Sequence, residues 1–276
     1  MCPLGRRFIE GVGGIFEPAT MVCHCLLIES DQGLILVDSG LGSADLERPG
    51  RRLGRAPKTF FRPERDPMNT ALARVAGLGF SPEDVRHIVL THLDFDHAGG
   101  LQDFPGARVH VLDLEYRRAM EPETPLEHHR YALAQFGHQP NWQVHDVRQG
   151  EDWFGFHSIR AIEGLGSDIL MVPLVGHSHG HCGVAVRKGS GWLLHCGDAA
   201  IHRSELDPSG PRVPKGIEYF VKGVADDDRA RLANLVRLRD LARNHAGEVE
   251  LISSHDPVML KQHLEAPVTV ERAYVA

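Results

Sequence analysis

The chain has 276 residues, 42% hydrophobic and 24% charged, which is the composition of an ordinary globular protein. A formal net charge of -7 provides no general attraction for nucleic acid or anionic lipid, and no stretch approaches the roughly 20 apolar residues that cross a bilayer. We expect one domain spanning 1–276. The odd number of cysteines favours reduced thiols over a set of disulfides. No secretory signal is visible, so a cytoplasmic location is expected. Oligomeric state is left open.

The N-terminal part predicts two strands, at 21–28 and 34–37, joined by a polar turn. Cys23 and Cys25 fall in the first apolar run, where cysteines usually serve as small hydrophobic residues rather than metal ligands. Residues 41–68 are rich in Gly, Pro and Arg, which indicates a surface excursion. Four arginines within it are predicted to be solvated: Arg48, Arg51, Arg52 and Arg55.

Helical and strand patterns then alternate. Residues 69–77 predict a helix, and Ser81 with Pro82 has the cap and first-position residues of another helix start. The aliphatic run 87–91 predicts a buried strand, 107–112 a further strand and 113–120 a helix. An α/β fold is therefore expected.

The segment 121–156 differs from its surroundings because it is crowded with aromatic and imidazole side chains. One interpretation is an insertion that forms a lid or a substrate wall. The other is a packed loop whose aromatic side chains fill a satellite core. The sequence does not decide between them.

The C-terminal half predicts strands at 158–163, 169–174, 182–187, 192–195 and 248–253, the third and fourth forming a hairpin. Residues 226–244 give the clearest helix. Its apolar stripe is predicted to comprise Leu232, Leu235, Val236, Leu238 and Leu241.

Potential metal ligands follow directly after several of these strands. Strand ends on one edge of a sandwich can converge although they are distant in sequence, so we expect the ligands to meet. They are His92, Asp94, Asp96, His97, His177, Asp198 and His255. Imidazole and carboxylate donors suit zinc and also iron or manganese.

The order His92-x-Asp94-x-Asp96-His97, then His177, Asp198 and His255, resembles the metallo-β-lactamase superfamily, and its lactonase and glyoxalase-like branch in particular. The early Asp38-Ser-Gly and the Gly176-His177 turn resemble two further motifs of that family. The resemblance implies a four-layer αββα sandwich of two mixed β-sheets flanked by helices. It also implies two divalent metal ions at the mouth between the sheets.

Carried over by position, the resemblance assigns the first metal to His92, Asp94 and His177 and the second to Asp96, His97 and His255, with Asp198 bridging. Asp38 would orient a ligand imidazole, although an Asp that starts a turn is the simpler interpretation. His179, His181 and Cys196 are expected to serve hydrogen bonding or packing. Whether His195 and His202 contact substrate is open.

Asp94 departs from the family pattern, which usually has His at that position. Two divalent ions, three aspartates and a bridging hydroxide sum to zero, whereas His at position 94 would leave +1. A more neutral site would be a weaker Lewis acid and would favour harder ions such as manganese or iron. Alternatively, Asp94 is too short to reach its metal and the first site is weak.

The reaction that the resemblance implies is hydrolysis of a small ester-, lactone- or thioester-like substrate by a hydroxide of the dinuclear site, with Asp96 or Asp198 accepting the proton. Ile201 stands where the lactonases carry a tyrosine, which puts lactone chemistry in doubt. Three alternatives remain: an iron-dependent oxidoreductase similar to sulfur dioxygenases, a nuclease, and a non-catalytic metal-binding or effector-sensing protein. The acidic charge balance and the lack of a recognisable RNA-binding appendage weaken the nuclease interpretation. Partners are expected to be small molecules, not nucleic acid or membranes.

Overall fold

The computed structural model describes residues 1–53, 59–148, 150–158, 165–210 and 212–265. Two β-sheets face each other, and helices cover the outer side of each sheet. The predicted α/β class and the αββα order of layers are confirmed. None of the helices in these ranges is long and apolar enough to cross a membrane.

The first sheet has five strands in the order β1-β2-β3-β4-β5. Their bounds are Leu26–Ser30, Gly33–Val37, Val85–Val89, Arg108–Leu112 and Asn141–His145. β1 and β2 pair antiparallel, whereas β2 to β5 are parallel. The carboxyl ends of four strands therefore lie at one edge of this sheet.

The second sheet has four strands in the order β11-β10-β9-β8, and β6 and β7 form a separate pair. The bounds of β6 to β11 are Glu151–Trp153, Phe156–Ser158, Ile169–Pro173, Cys182–Lys188, Gly191–His195 and Val249–Ile252. β9 and β10 form the predicted hairpin. β10 and β11 are parallel, so the residues after both lie at the same edge.

Ten helices are bounded within the described residues, and several begin at capping side chains. Thr70, Thr124 and Asp227 each accept a hydrogen bond from a backbone N–H three residues ahead. Helices α1 to α10 are Arg6–Ile9, Ser43–Glu47, Pro49–Arg52, Ala71–Gly77, Phe95–Ala98, Asp113–Met120, Pro125–Arg130, Lys215–Val224, Asp228–Asn244 and Pro257–Glu265.

Side-chain alternation along the strands separates the core into layers. Leu36 and Ile88 pack towards α4 and α6, while the next residues, Val37 and Val89, pack between the two sheets. On the far side, α9 covers the second sheet through Leu238 and its neighbours. Each strand of the pair β2 and β3 is thus buried on both faces, which explains its nearly continuous apolar sequence.

The first predicted strand is wrong over its opening residues, since β1 begins only at Leu26. The preceding backbone pairs with the C-terminal loop instead. His24 N donates to Ser254 O at 2.9 Å and Val22 N donates to His255 O at 3.3 Å. This pairing brings the segment around residue 23 next to the ligand loop after β11.

The excursion at 41–68 is less exposed than predicted. Arg52 Nε donates to Asp45 Oδ1 at 2.7 Å, and Asp45 is fully buried, so Arg52 is not a solvated charge. Arg55 lies outside the described residues. Ser81 and Pro82 begin only a single 3-10 turn, Pro82–Asp84, that leads into β3.

The stripe predicted for α9 is wrong at two positions. Leu232 is 47% exposed and Val236 is 54% exposed, while Arg231 and Asn234 are buried in their place. Asn234 is buried because its side chain makes a hydrogen bond across to the loop that leads to His177. Its Nδ2 donates to Val175 O at 2.8 Å. The strand predicted at 158–163 ends at Ser158 as β7, and 159–163 lie outside the described residues.

Three parts of the segment 121–156 lie in three different places, so neither a lid nor a packed loop describes all of it. β5 is an edge strand of the first sheet. Trp153 and Phe156 pack onto the second sheet. Only α7 approaches the predicted ligands.

Candidate metal centre

The seven predicted ligands converge where the strand ends of the two sheets meet. His92 to His97 follow β3, with Asp94 at the start of α5. His177 follows β8, Asp198 lies in a 3-10 turn after β10, and His255 follows β11. Parallel pairing within each sheet aligns these ends, and the sandwich brings the two edges together.

One ligand set surrounds Oδ1 of Asp198. His255 Nε2 lies 3.1 Å and His97 Nε2 lies 3.3 Å from this oxygen. Asp96 Oδ2 is 3.6 Å from His255 Nε2. These residues are the set predicted for the second metal.

The other set surrounds Oδ2 of the same carboxylate. His177 Nε2 lies 3.5 Å and His92 Nε2 lies 4.0 Å from it. Asp94 Oδ2 is 3.0 Å from His177 Nε2 and 3.5 Å from His92 Nε2. Asp198 therefore faces His97 with Oδ1 and faces His92 and His177 with Oδ2. His255 Nε2 lies close to both oxygens, 3.1 Å from Oδ1 and 3.3 Å from Oδ2.

The donor atoms fit divalent ions. The Nε2 atoms of His92 and His97 are buried and make no hydrogen bond, although such atoms normally find a partner in a folded protein. Donor separations of 3 to 4 Å are those expected around an ion bound about 2.1 Å from each ligand. Burial lowers the pKa of His92 to about 4, so this imidazole is in the neutral form that metal binding requires.

Asp38 contacts a ligand imidazole, as predicted. His97 Nδ1 lies 2.8 Å from Asp38 Oδ2, and Thr91 donates to the same carboxylate through its backbone N and its hydroxyl, each at 2.8 Å. Burial alone would raise the pKa of Asp38, but His97 holds it below its ordinary value. The carboxylate thus keeps Nε2 of His97 directed at the centre.

Asp198 is held by two neighbours. His181 Nε2 accepts from Asp198 N at 2.8 Å while its Nδ1 lies 3.0 Å from Leu174 O, so His181 positions a ligand rather than binding metal. Ser254 donates its hydroxyl to Asp198 Oδ1. The first contact holds the backbone of Asp198, and the second holds one oxygen of its carboxylate.

Glu115 on α6 is a residue that sequence reasoning missed. Its side chain is fully buried and accepts from Leu93 N at 2.9 Å, Ser178 Oγ at 2.6 Å and Gly180 N at 3.2 Å. It therefore ties the His92–His97 loop to the turn that carries His177. An acidic residue inside a predicted helix gave no signal of this role.

Cys23 is closer to the centre than predicted. Its sulfur lies with donor atoms of Asp96 and His255 in a cluster whose members are within 4.8 Å of one another. Burial raises the pKa of Cys23 to about 12, which keeps it a neutral thiol. The interpretation as a packing residue holds for Cys196, which is buried in the core of the second sheet.

Three further histidines that the sequence analysis considered are not part of either ligand set. His195 is fully buried and its Nε2 lies 2.7 Å from His24 O, so it does not reach a substrate. His202 Nδ1 bonds to Ser204. His179 is partly exposed, and its nearest charged neighbours are Glu127 and Asp226.

Arg130, at the end of α7, reaches into the first ligand set. Its Nη1 lies 2.9 Å from His177 Nε2 and 3.0 and 3.1 Å from the two oxygens of Asp94. Burial would raise the pKa of Asp94, but Arg130 holds it well below its ordinary value. The charge count made from the sequence did not include this neighbour of Asp94, an arginine that is paired with both Asp94 and Asp226.

A cavity of about 160 Å³ opens over both ligand sets. Its apolar walls come from Met21, Phe61, Phe95, Leu126 and Phe220, and its polar rim from His129 and Arg130. Ile201 is buried in the apolar cluster behind Met21 and Phe220 and does not itself line the cavity. No tyrosine in the described part of the chain lines it either. A larger cavity of about 610 Å³ elsewhere is lined by none of the candidate ligands.

A model of the family described as the metallo-beta-lactamase superfamily matches residues 19–243, which include six of the seven candidate ligands. The chain belongs to this superfamily. A probable metallo-hydrolase of Mycobacterium tuberculosis is 40% identical over 237 residues, covering 86% of this chain and 75% of the relative. This chain is a metallo-hydrolase of that superfamily.

Shorter or more distant similarities point in the same direction. An N-acyl homoserine lactonase of Bacillus cereus is 34% identical over 133 residues, 45% of this chain and 52% of the lactonase. An N-acyl homoserine lactone hydrolase structure with its product at the catalytic metal centre has a TM-score of 0.69. At 20% identity, over 98% of this chain and 94% of that one, it shows the shared fold.

Proposed function

We propose that this superfamily member hydrolyses a small ester-, lactone- or thioester-like substrate at a dinuclear metal centre. The observation that carries the proposal is the position of the Asp198 carboxylate, which has His97 at Oδ1, His92 and His177 at Oδ2, and His255 within 3.3 Å of both oxygens. A carboxylate shared in this way matches two ions side by side. Zinc suits the histidine-rich donors best. A structure described as a dizinc quorum-quenching lactonase, 18% identical to this chain with a TM-score of 0.61, supports that choice.

The residues would divide the work as follows. His92, Asp94 and His177 would hold one ion, Asp96, His97 and His255 the other, with Asp198 between them. Bound there, divalent ions lower the pKa of water and polarise the substrate oxygen. We assign Asp96 or Asp198 as the group that accepts the proton. Burial raises the pKa of Asp96, which favours Asp96; burial would also raise the pKa of Asp198, but His255 and the neighbouring histidines hold it well below its ordinary value.

The cavity supports a small substrate with an apolar portion. Phe61, Phe95 and Phe220 form an aromatic wall, with ring centroids 5.3 and 5.7 Å from Phe61. α7, which is the part of 121–156 at the cavity, would act as the substrate wall or lid through Leu126 and His129. Because Ile201 replaces the lactonase tyrosine, orientation of the reacting carbonyl must come from other groups.

Hydrolysis by the zinc-loaded protein of a panel of aryl esters, aliphatic lactones and thioesters tests the proposal. We expect turnover of at least one class, and Asp198→Ala should lower it by more than about 1,000-fold because both ions lose a ligand. The matched control is Asp207→Ala, a change of a surface Asp that accepts hydrogen bonds from Ser209 and belongs to neither ligand set. Turnover unchanged in Asp198→Ala would reject the site.

Two other results would replace the proposal. Oxygen uptake by the iron-loaded protein without hydrolysis products would indicate an oxidoreductase. Metal binding and tight ligand binding without turnover of any class would indicate a non-catalytic sensing protein.

A further inference from the structure

We propose that Arg130 controls occupancy of the first metal position, because its guanidinium competes with a divalent ion for His177 and Asp94. The two positions then differ in affinity, and the position around His97 and His255 fills first. This inference rests on the metal centre of the proposed function. It concerns how the centre is loaded and not which substrate is cleaved.

The competition follows from the atoms that Arg130 occupies. A neutral imidazole nitrogen has one lone pair for accepting a proton or a metal, and Arg130 Nη1 lies 2.9 Å from Nε2 of His177. In the tautomer that leaves Nε2 unprotonated, which is the one that binds a metal, an N–H of Arg130 donates to that lone pair, and the 3.0 Å approach of Asp94 Oδ2 to Nε2 is not a hydrogen bond. An ion in the first metal position would need the same lone pair of His177.

Asp94 is engaged by the same nitrogen. Both of its oxygens lie within 3.1 Å of Arg130 Nη1, which is a charge-assisted contact. Two of the three ligands specific to the first position are therefore already paired with a fixed cation. An ion entering there must break both contacts and must also approach a positive charge.

The second position has no such competitor. Among the described residues, the ion pairs of Asp96 and Asp198 are formed with histidines, and no Arg or Lys lies within 4.0 Å of either carboxylate. The asymmetry between the positions is thus built into the protein.

The contacts of Arg130 Nη2 can hold the guanidinium in place while an ion displaces Nη1. Its Nη2 donates to His177 O at 3.0 Å and to Val224 O, and lies 3.6 Å from Asp226 Oδ1. These contacts are separate from those of Nη1. They keep the guanidinium in the cavity wall whether or not Nη1 is displaced.

Zinc titration of the metal-free protein by calorimetry, with a competing chelator, tests the inference. We expect wild type to bind one tight and one weaker equivalent. Arg130→Met should tighten the weaker equivalent by about 10- to 100-fold, the range for losing charge-assisted hydrogen bonds, and leave the tight one unchanged. Arg118→Met is the matched control, because Arg118 pairs with Glu123 and Glu127 and contacts no ligand.

An unchanged or weakened second equivalent in Arg130→Met would overturn the inference. Since loss of a buried arginine could prevent folding, a measurement on wild type provides an independent test. In protein with ¹⁵N-labelled arginine, the side-chain signal of Arg130 should shift at the second zinc equivalent and stay in place at the first. A shift at the first equivalent would also overturn the inference.

The outcomes separate this inference from the proposed function. Two unequal zinc affinities that respond to Arg130→Met, without hydrolysis of any substrate class, would reject the function and keep the inference. Hydrolysis of a substrate by a protein whose two zinc affinities are equal and unchanged by Arg130→Met would support the function and reject the inference. A wild-type protein that binds no zinc would reject both.

Discussion

Single residues at this centre act mainly by holding others in place. Asp38 orients His97, His181 holds the backbone of Asp198, and Glu115 joins two ligand loops. A buried carboxylate such as Glu115 is costly to desolvate, and it is tolerated because several donors satisfy it. Positioning groups of this kind are needed wherever ligands come from separate loops.

Glu115→Ala should destabilise the protein by about 3 kcal/mol, because Leu93 N, Ser178 Oγ and Gly180 N lose their buried acceptor. Urea unfolding of the metal-free protein measures this change. Glu121→Ala, on an exposed residue one position after α6, is the control and should stay within about 0.5 kcal/mol of wild type. Equal stabilities of the two variants would show that the Glu115 contacts contribute little.

At the scale of elements, three neighbouring strands carry a row of histidines that the sequence did not bring together. His87 Nδ1 lies 2.8 Å from His110 Nε2, and His110 Nδ1 lies 2.9 Å from His145 Nε2. The rings of each pair are nearly parallel, with centroids 5.1 and 5.2 Å apart. Parallel pairing of β3, β4 and β5 produces this row.

Burial lowers the pKa of all three imidazoles, that of His110 to about 3. The unfolded chain, with an ordinary His pKa of about 6.5, therefore binds more protons than the folded protein below neutrality. Stability that is complete above pH 6.5 should be lost as the pH falls towards 3. At pH 5, His110 alone would account for about 2 kcal/mol of this loss.

His110→Gln keeps a donor and an acceptor but does not titrate, so it should lose about 2 kcal/mol less stability than wild type between pH 7.5 and pH 5. Urea unfolding at both values, with chelator present, provides the comparison. His128→Gln, an exposed histidine of α7, is the control and should keep the wild-type pH dependence. Identical slopes for His110→Gln and wild type would contradict the lowered pKa.

At the scale of the whole molecule, the centre joins the two sheets. Its ligands come from β3 in one sheet and from β8, β10 and β11 in the other. An ion that binds only the folded arrangement stabilises it by mass action. Metal content and global stability should therefore be linked.

Removal of metal with a chelator should lower the midpoint of thermal unfolding. Zinc restored at about 100 times the Kd of the tighter position should raise the free energy of unfolding by about 2.7 kcal/mol through that position. Differential scanning calorimetry with and without zinc measures the shift. Asp198→Ala should respond much less, because both positions lose the shared carboxylate. A wild-type midpoint that is independent of zinc would show that the ligands do not bind it.

The sequence determined the α/β class, most strand positions and the seven candidate ligands, because alternation, glycines and ligand spacing are local signals. It placed Arg52 wrongly and did not show how near Cys23 lies to the centre. The surroundings of both depend on residues distant along the chain, which are the buried Asp45 for Arg52 and His255 for Cys23. The same limit applies to Leu232 and Val236, whose exposure depends on polar contacts made by Arg231 and Asn234.

Tertiary structure alone decided the character of Asp94. From the sequence, the carboxylate of Asp94 lowered the net charge of the centre by one. Nothing in the local pattern connected position 94 to position 130, so the arginine there was not counted. In the folded chain, α7 brings Arg130 within 3.1 Å of both oxygens, and the same arginine is also paired with Asp226. Local sequence fixes which groups can bind a metal, but packing of distant elements fixes which other charges compete for them.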